Sequence, residues 1–240
     1  MAVLMTKRLF TVQRWRSCAV AALALVVAAA VPRAASPRLA TARISGIVTV
    51  TAAARAPLAS PAYASRRVVA TVAAPASELA NVVVFVKGAP FDGALPAMHG
   101  KIVQQDEAFV PHLLAVTRGS VIDFPNLDPY FHDVFSLSDA AAFDLGSYAR
   151  GKSRSRRFTK AGLVKVFCHL HSHMTASIMV FDHPYFAIPA ADGSFSIGDL
   201  PPGRYTVSAW HERIGESSRA VTLEPGGTTD VRFSLPVVQQ

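Results

Sequence analysis

Between Phe167 and Met174 the chain reads Phe-Cys-His-Leu-His-Ser-His-Met, which puts one thiol, three imidazoles and one thioether into eight consecutive residues. Sulfur combined with imidazole is the ligand set that selects copper, and a trigonal Cys, His, His plane with a long axial Met suits a one-electron couple. A further histidine, His132, stands well upstream in the run Tyr130-Phe131-His132-Asp133-Val134-Phe135-Ser136. The segment Leu163 to Cys168 reads as a strand, on which Val164, Val166 and Cys168 share one face. That strand delivers the thiol at its end against apolar packing. Cys168, His171 and Met174 are separated by two residues each, so a tight loop can turn all three inward. His169 adjoins Cys168 and His173 adjoins Met174, and adjacent side chains diverge. The expected site is therefore His132, Cys168, His171 and Met174 around one mononuclear copper, with His173 as the alternative to His171. Zinc is the competing metal, through Cys168, His132, His171 and His173, but thioether is not among its usual ligands.

The elements that must position these residues are short runs rich in Val, Ile, Phe and Tyr, punctuated by Gly, Pro, Asn and Asp, and no long helical period occurs among them. This pattern predicts an all-β chain, sandwich or barrel. Expected strands are 43–51, 68–72, 81–86, 113–117, 121–124, 132–136, 153–158, 163–168 and 176–181. The stretch 52–65, heavy in Ala, Pro and Ser, reads as a loop, and Phe143-Asp144-Leu145-Gly146 reads as a turn. A boundary is expected near His183-Pro184. Beyond it, Asp192-Gly193 and Pro201-Pro202-Gly203 turns separate four more short strands, enough for a small sandwich that needs support from its neighbour. The organisation expected is thus 1–35 as a signal peptide, 42–183 as the metal-binding domain with an N-terminal β extension over 42–79, and 186–236 as a small β module.

The signal peptide rests on Lys7, Arg8, Arg14 and Arg16, an apolar run from Cys18 to Val31 and small residues at Ala34-Ala35-Ser36. The apolar run is shorter than the ~20 residues of a membrane span, so no stable span is expected after cleavage. Of the 240 residues 17% are charged, with a formal net charge of +8. Cleavage after Ala35 removes five basic residues and no acid, leaving +3, which gives no case for nucleic-acid binding. It also removes Cys18, so Cys168 would be the sole thiol of a periplasmic protein. An unpaired thiol is a liability in an oxidising compartment unless a metal takes it. The basic run Arg150 to Lys160 reads as a solvated hairpin, and alternatively as a docking patch for an acidic redox partner. His99 and His112 read as structural, and Trp210-His211-Glu212 as a strand end with Trp210 in packing contact. No nucleophile elbow, HExxH run or phosphate loop is present, and four convergent ligands argue against an open catalytic position.

Several of these runs together resemble the periplasmic plastocyanin-like (cupredoxin) proteins of the methylamine-utilisation type. The matching residues are Val110-Pro111, Gly119 to Asp128, His132 to Ser136, Phe143 to Gly146 and Cys168 to Met174. Asp192-Gly193-Ser194-Phe195 and Leu200 to Tyr205 are similar to a carboxypeptidase-regulatory-like module. The resemblance implies a cupredoxin-like Greek-key β-sandwich followed by a small transthyretin/prealbumin-like β-sandwich. It further implies one copper held by His132, Cys168, His171 and Met174. The chain departs from the pattern at Asp133, where cupredoxins often carry an Asn that tethers the two ligand loops. The expected function is one-electron transport to a redox partner, without enzymatic activity. The competing expectations are copper delivery, or a metal-free carbohydrate-binding or adhesion module.

Overall fold

Alternation of apolar and polar residues at period two builds several of the strands around the site, β7 and β11 among them. In the computed structural model, residues 40–52 and 78–237 are described. The expected signal peptide, the stretch 53–65 and the expected strand 68–72 lie outside the described residues. The described chain forms seventeen strands and a short 3-10 helix, Glu78–Asn81. The first two strands are β1 (Ala42–Ala52) and β2 (Val82–Lys87). Next come β3 (His99–Lys101), β4 (Val103–Gln105), β5 (Ala108–Val110), β6 (Leu113–Thr117), β7 (Val121–Pro125) and β8 (His132–Ser138). These are followed by β9 (Ala141–Tyr148), β10 (Ser153–Arg157), β11 (Gly162–Phe167) and β12 (Thr175–Phe181). The last five are β13 (Phe186–Ala187), β14 (Ser194–Leu200), β15 (Gly203–His211), β16 (Gly215–Leu223) and β17 (Thr228–Val237).

Strands β3 to β12 make one sandwich. A five-stranded sheet in the order β6-β12-β11-β8-β9 faces a three-stranded sheet in the order β10-β7-β3, with the hairpin β4-β5 beside them. Ile122 and Phe124 of β7, Val134 of β8, Val164 and Val166 of β11, and Ala176, Ile178 and Val180 of β12 fill the space between, joined by Phe158. β12 is apolar on both faces because both are covered. Its Ala176, Ile178 and Val180 enter this core, while Met179 and Phe181 enter a second cluster on the other side.

The second sandwich consists of the sheets β14-β1-β17 and β13-β2-β15-β16. β1 runs parallel to β17 from Arg43↔Thr228 to Ala52↔Val237 and antiparallel to β14 on its other edge. β2 pairs with β15 from Thr206↔Lys87 to His211↔Val82. This departs from the expected organisation: the N-terminal β extension belongs to the C-terminal module and not to the metal-binding domain. β1 carries Ile44 and Val48 on a face that only the later strands cover, and a pairing so distant in sequence leaves no local signature. The sandwich of β3 to β12 is therefore inserted between the second and third strands of the other one.

A further departure concerns Phe143 to Gly146, which form part of β9 and not a turn. Pairing of β8 with β9 slips between Asp133↔Ser147 and Phe135↔Asp144, so β9 carries one extra residue there. Gly146 takes up the slack with φ of 65°, a backbone conformation that a side chain disfavours. The Gly and Asp that suggested a turn instead mark a bulge. The basic run behaves as a solvated edge, since all of β10 is exposed. Arg154 and Arg156 lie over the rings of Tyr148 and Phe143.

Val83, Leu113, Ala115, Met179 and Phe181 are buried together where the two sandwiches meet, and Trp210 packs against them. Glu212, just past β15, sits at the margin of this contact. It accepts hydrogen bonds from His112, Lys165 and Ser177, all three on the sandwich of β3 to β12. The bond from His112 and then that from Lys165, opposed by burial, pull the Glu212 carboxyl from 4.5 down to about 2. A carboxylate whose pKa falls on folding stabilises the folded state above its unfolded pKa. That stability disappears as pH drops from 4.5 through about 2. Glu212→Gln should therefore lower unfolding free energy near neutral pH by about 1–2 kcal/mol. In denaturant melts the difference between variant and parent should close as the pH is brought below the folded pKa of Glu212.

Candidate metal centre

The pairing of β11 with β8 through Phe167↔Phe135 brings the end of one strand and the start of the other to the same edge of the sheet. Cys168 follows β11 on the face of Val164 and Val166 and is 4% exposed, while His132 opens β8 and is fully buried. The loop from His169 to His173 then folds back over them. Its closing turn is held by the Met174 amide donating to the His171 carbonyl at 2.9 Å.

His132, Cys168 and His171 present their donor atoms within 4.8 Å of one another. The His132 and His171 Nδ1 atoms are 3.0 Å apart, and Cys168 Sγ lies 3.9 Å and 3.8 Å from them. That triangle fits one ion at about 2.0–2.1 Å from each nitrogen and about 2.3 Å from sulfur. Met174 is 1% exposed and belongs to the same buried cluster as Cys168. Two other histidines of the loop turn elsewhere. His169 Nδ1 bonds Asp133 Oδ1 at 2.9 Å, and its ring stacks on Phe135 with centroids 3.6 Å apart. His173 is exposed and points its Nε2 at Glu107, 3.5 Å away. Of the histidines weighed for the site, His171 is the one that the fold aims at Cys168 and His132.

Several groups around the donors hold them in place. The Asp133 amide points at Cys168 Sγ at 3.5 Å. The Asp133 carboxylate joins the two segments that carry the donors by accepting from His169. On the opposite side, His132 Nε2 lies 2.8 Å from Asp128 Oδ2. The Asp128 oxygens also accept the amides of Asp106 at 2.7 Å and Glu107 at 2.9 Å. Those two residues form the β4-β5 turn with φ of 54° and 52°, a left-handed pair built without glycine. Two amide bonds to a buried carboxylate compensate for that conformation. Burial pushes the Asp128 carboxyl up, but the donors from Glu107, His132 and Asp106 outweigh it, so it ionises below the usual carboxylate range. Asp128 is the residue that sequence reasoning missed. The available signal was only a carboxylate four residues before the first histidine.

Exposed apolar side chains lie on both segments that carry the donors: Leu127, Tyr130 and Phe131 before His132, and Leu170 beside His171. The segment before His132 is bonded to the start of the basic run, because the Asn126 amide donates to the Lys152 carbonyl and the Gly151 amide to that of Asn126.

Residues 174–236 match the family model of the carboxypeptidase regulatory-like domain. The match begins at Met174, so it overlaps β12 of the first sandwich. Among curated proteins none matches. Among solved structures the chain is similar to a Cu-containing nitrite reductase from Thermus scotoductus SA-01, at 22% identity and TM-score 0.35. That alignment covers 38% of this chain and 24% of the reductase. A purple cupredoxin from Nitrosopumilus maritimus aligns at 17% identity and TM-score 0.31, over 34% of this chain and 99% of the cupredoxin. The Cu(I) form of the M98A mutant of amicyanin aligns at 19% identity and TM-score 0.33, over 41% of this chain and 98% of amicyanin. The architecture is two joined β-sandwiches, the second of which holds most of the residues that match the carboxypeptidase regulatory-like domain.

The two loop histidines make the geometry testable. His171→Ala should weaken binding of a titrated divalent metal by more than the 10–100-fold typical of supporting residues, whereas His173→Ala should change it by less than about threefold. Competition against a chelator of known affinity measures both.

Proposed function

We propose that this chain is a type 1 copper protein that carries single electrons between periplasmic partners, with no reaction of its own. The observation that carries the proposal is the convergence of one buried thiol and two imidazole nitrogens, a soft and borderline donor set that favours copper. Copper held there supplies a reversible Cu(II)/Cu(I) couple. The polypeptide supplies the rest. Cys168 is shielded from oxidants and water by Val164, Val166 and Ala176 around it. His132 is fixed by Asp128, and His171 sits at the half-buried edge through which an electron would leave. Met174, buried in the same cluster as Cys168, would supply a thioether to the ion, and a fourth protein donor argues against an open position for a substrate.

The partner reading rests on the surface. Leu127, Tyr130, Phe131 and Leu170 form an apolar rim suited to a short-lived contact, and Lys152, Arg154 and Arg156 continue from it as a row of cations. An acidic redox protein fits that combination, and its association would slow with salt. The methylamine-utilisation type rests on sequence resemblance, and the signal peptide expected over 1–35 supports the periplasmic location.

Reconstitution with Cu(II) should give one copper per chain and an intense thiolate-to-Cu(II) visible band. Cys168→Ser should abolish the band while the fold, followed by circular dichroism, is kept. Fast reversible reduction with copper retained fits a carrier. Release of copper on reduction would instead assign the site to delivery.

A further inference from the structure

Asp128 is tied to the candidate centre more closely than any other charged group that is not itself a donor. Its side chain is 7% exposed, and its Oδ2 is one hydrogen bond of 2.8 Å from His132 Nε2. An ionised carboxylate only accepts, so Nε2 must be the nitrogen of His132 that carries the proton. That leaves the Nδ1 lone pair facing His171 and Cys168. The carboxylate is itself held from three directions. Asp106 and Glu107 donate their amides to its two oxygens, and its own amide donates to Asn126 Oδ1 at 2.9 Å. Asn126, fully buried, is anchored in turn by donating to the carbonyls of Tyr130 and Tyr148.

The β4-β5 turn therefore does more than connect two short strands. It aims two amide dipoles at a carboxylate, and the carboxylate aims an imidazole. Such outer partners fix the tautomer and raise the basicity of a ligating histidine. Here the partner also carries a full negative charge in a poorly solvated place. Amide donors stabilise that charge without cancelling it. A fixed anion near a metal favours the more highly charged oxidation state, by the same electrostatics that shift the pKa of a neighbouring group. Together the Cys168 thiolate and Asp128 supply two negative charges, equal to the charge of Cu(II) and one more than that of Cu(I).

We propose that Asp128 is a positioning and potential-setting residue: it presets the His132 tautomer before metal arrives and biases the bound couple toward Cu(II). This rests on the copper reading above for its second half only. The preset tautomer is a property of the metal-free protein.

Two variants separate the effects. Asp128→Asn removes the charge while leaving a carbonyl that can accept from Nε2–H. Asp128→Ala removes both. In metal-free protein, nitrogen-15 NMR of the His132 ring should show the Nε2–H form in the parent and in Asp128→Asn. Asp128→Ala should show a mixture, with a 10–100-fold loss of metal affinity. In copper-loaded protein, Asp128→Asn should cut the preference for Cu(II) over Cu(I) at least about tenfold, a rise in midpoint of about 59 mV for one electron. Asp139→Asn, at an exposed carboxylate away from the donors, should leave the midpoint within about twofold on the same scale. A parent His132 protonated at Nδ1 overturns the positioning role whether or not copper binds. A shift in Asp128→Asn no larger than that in Asp139→Asn overturns the charge role. A parent chain that takes up no copper sinks the copper reading and the bias with it, while the tautomer measurement still decides the positioning role.

Discussion

Antiparallel pairing of β8 with β11 brings together two side chains that are 36 residues apart, His132 and Cys168. Adjacent strands lie about 4.8 Å apart and repeat their facing every two residues. A slip of one residue at Phe135↔Phe167 would turn Val164, Val166 and Cys168 together out of this core and into the opposite layer. The register is defended on both faces. Inward, Val134, Val164 and Val166 are fully buried. Outward, the rings of Phe135 and Phe167 meet at 5.8 Å, and His169 stacks on Phe135. The donor triangle is thus a by-product of apolar packing. The polar groups around it refine an arrangement that the core has already imposed.

Those polar groups form two braces on opposite sides of the triangle. On one side Asp133 reaches across to His169. On the other, Asp128 links His132 to the turn at Asp106 and Glu107. Each uses a carboxylate that is largely removed from water and bonded to more than one donor or held close to one imidazole, the condition under which a buried charge is tolerated. The bulge at Gly146 lies beside the same place, opposite Val134, and adds local twist where β8 begins. A left-handed pair at Asp106 and Glu107 and a bulge at Gly146 thus both stand near the donors.

Much of this was legible from the chain. The Cys168 to Met174 run stood out because its residue types are rare in combination. Period-two alternation placed β7, β8, β11 and β12 nearly to the residue. Adjacency arguments selected His171 from three loop histidines, and the structure aims that one at the triangle. What stayed hidden depends on partners distant in sequence. β1 looked like an extension of its nearest neighbour because nothing in Ala42 to Ala52 reveals that Thr228 to Val237 will lie alongside. Gly146 looked like a turn because a bulge and a turn ask for the same residue. Asp128 carried no sign of its role, though its amide closes the turn by donating to Asn126 Oδ1. That role needs the tip of a hairpin about twenty residues away, which no local pattern can announce.

The nested topology also fixes an order of events as the chain is made. Every strand of the inserted sandwich, from His99 to Phe181, pairs within that span. It can close as soon as Phe181 has emerged from the ribosome. β1 and β2 are synthesised first yet have to wait, because their partners β14, β15 and β17 come last. Chains generally fold from the N-terminus as they appear, and unpaired apolar strands invite wrong partners. This one inverts that order, finishing its middle before its beginning. The earliest strands are left exposed until the final one arrives to cover them.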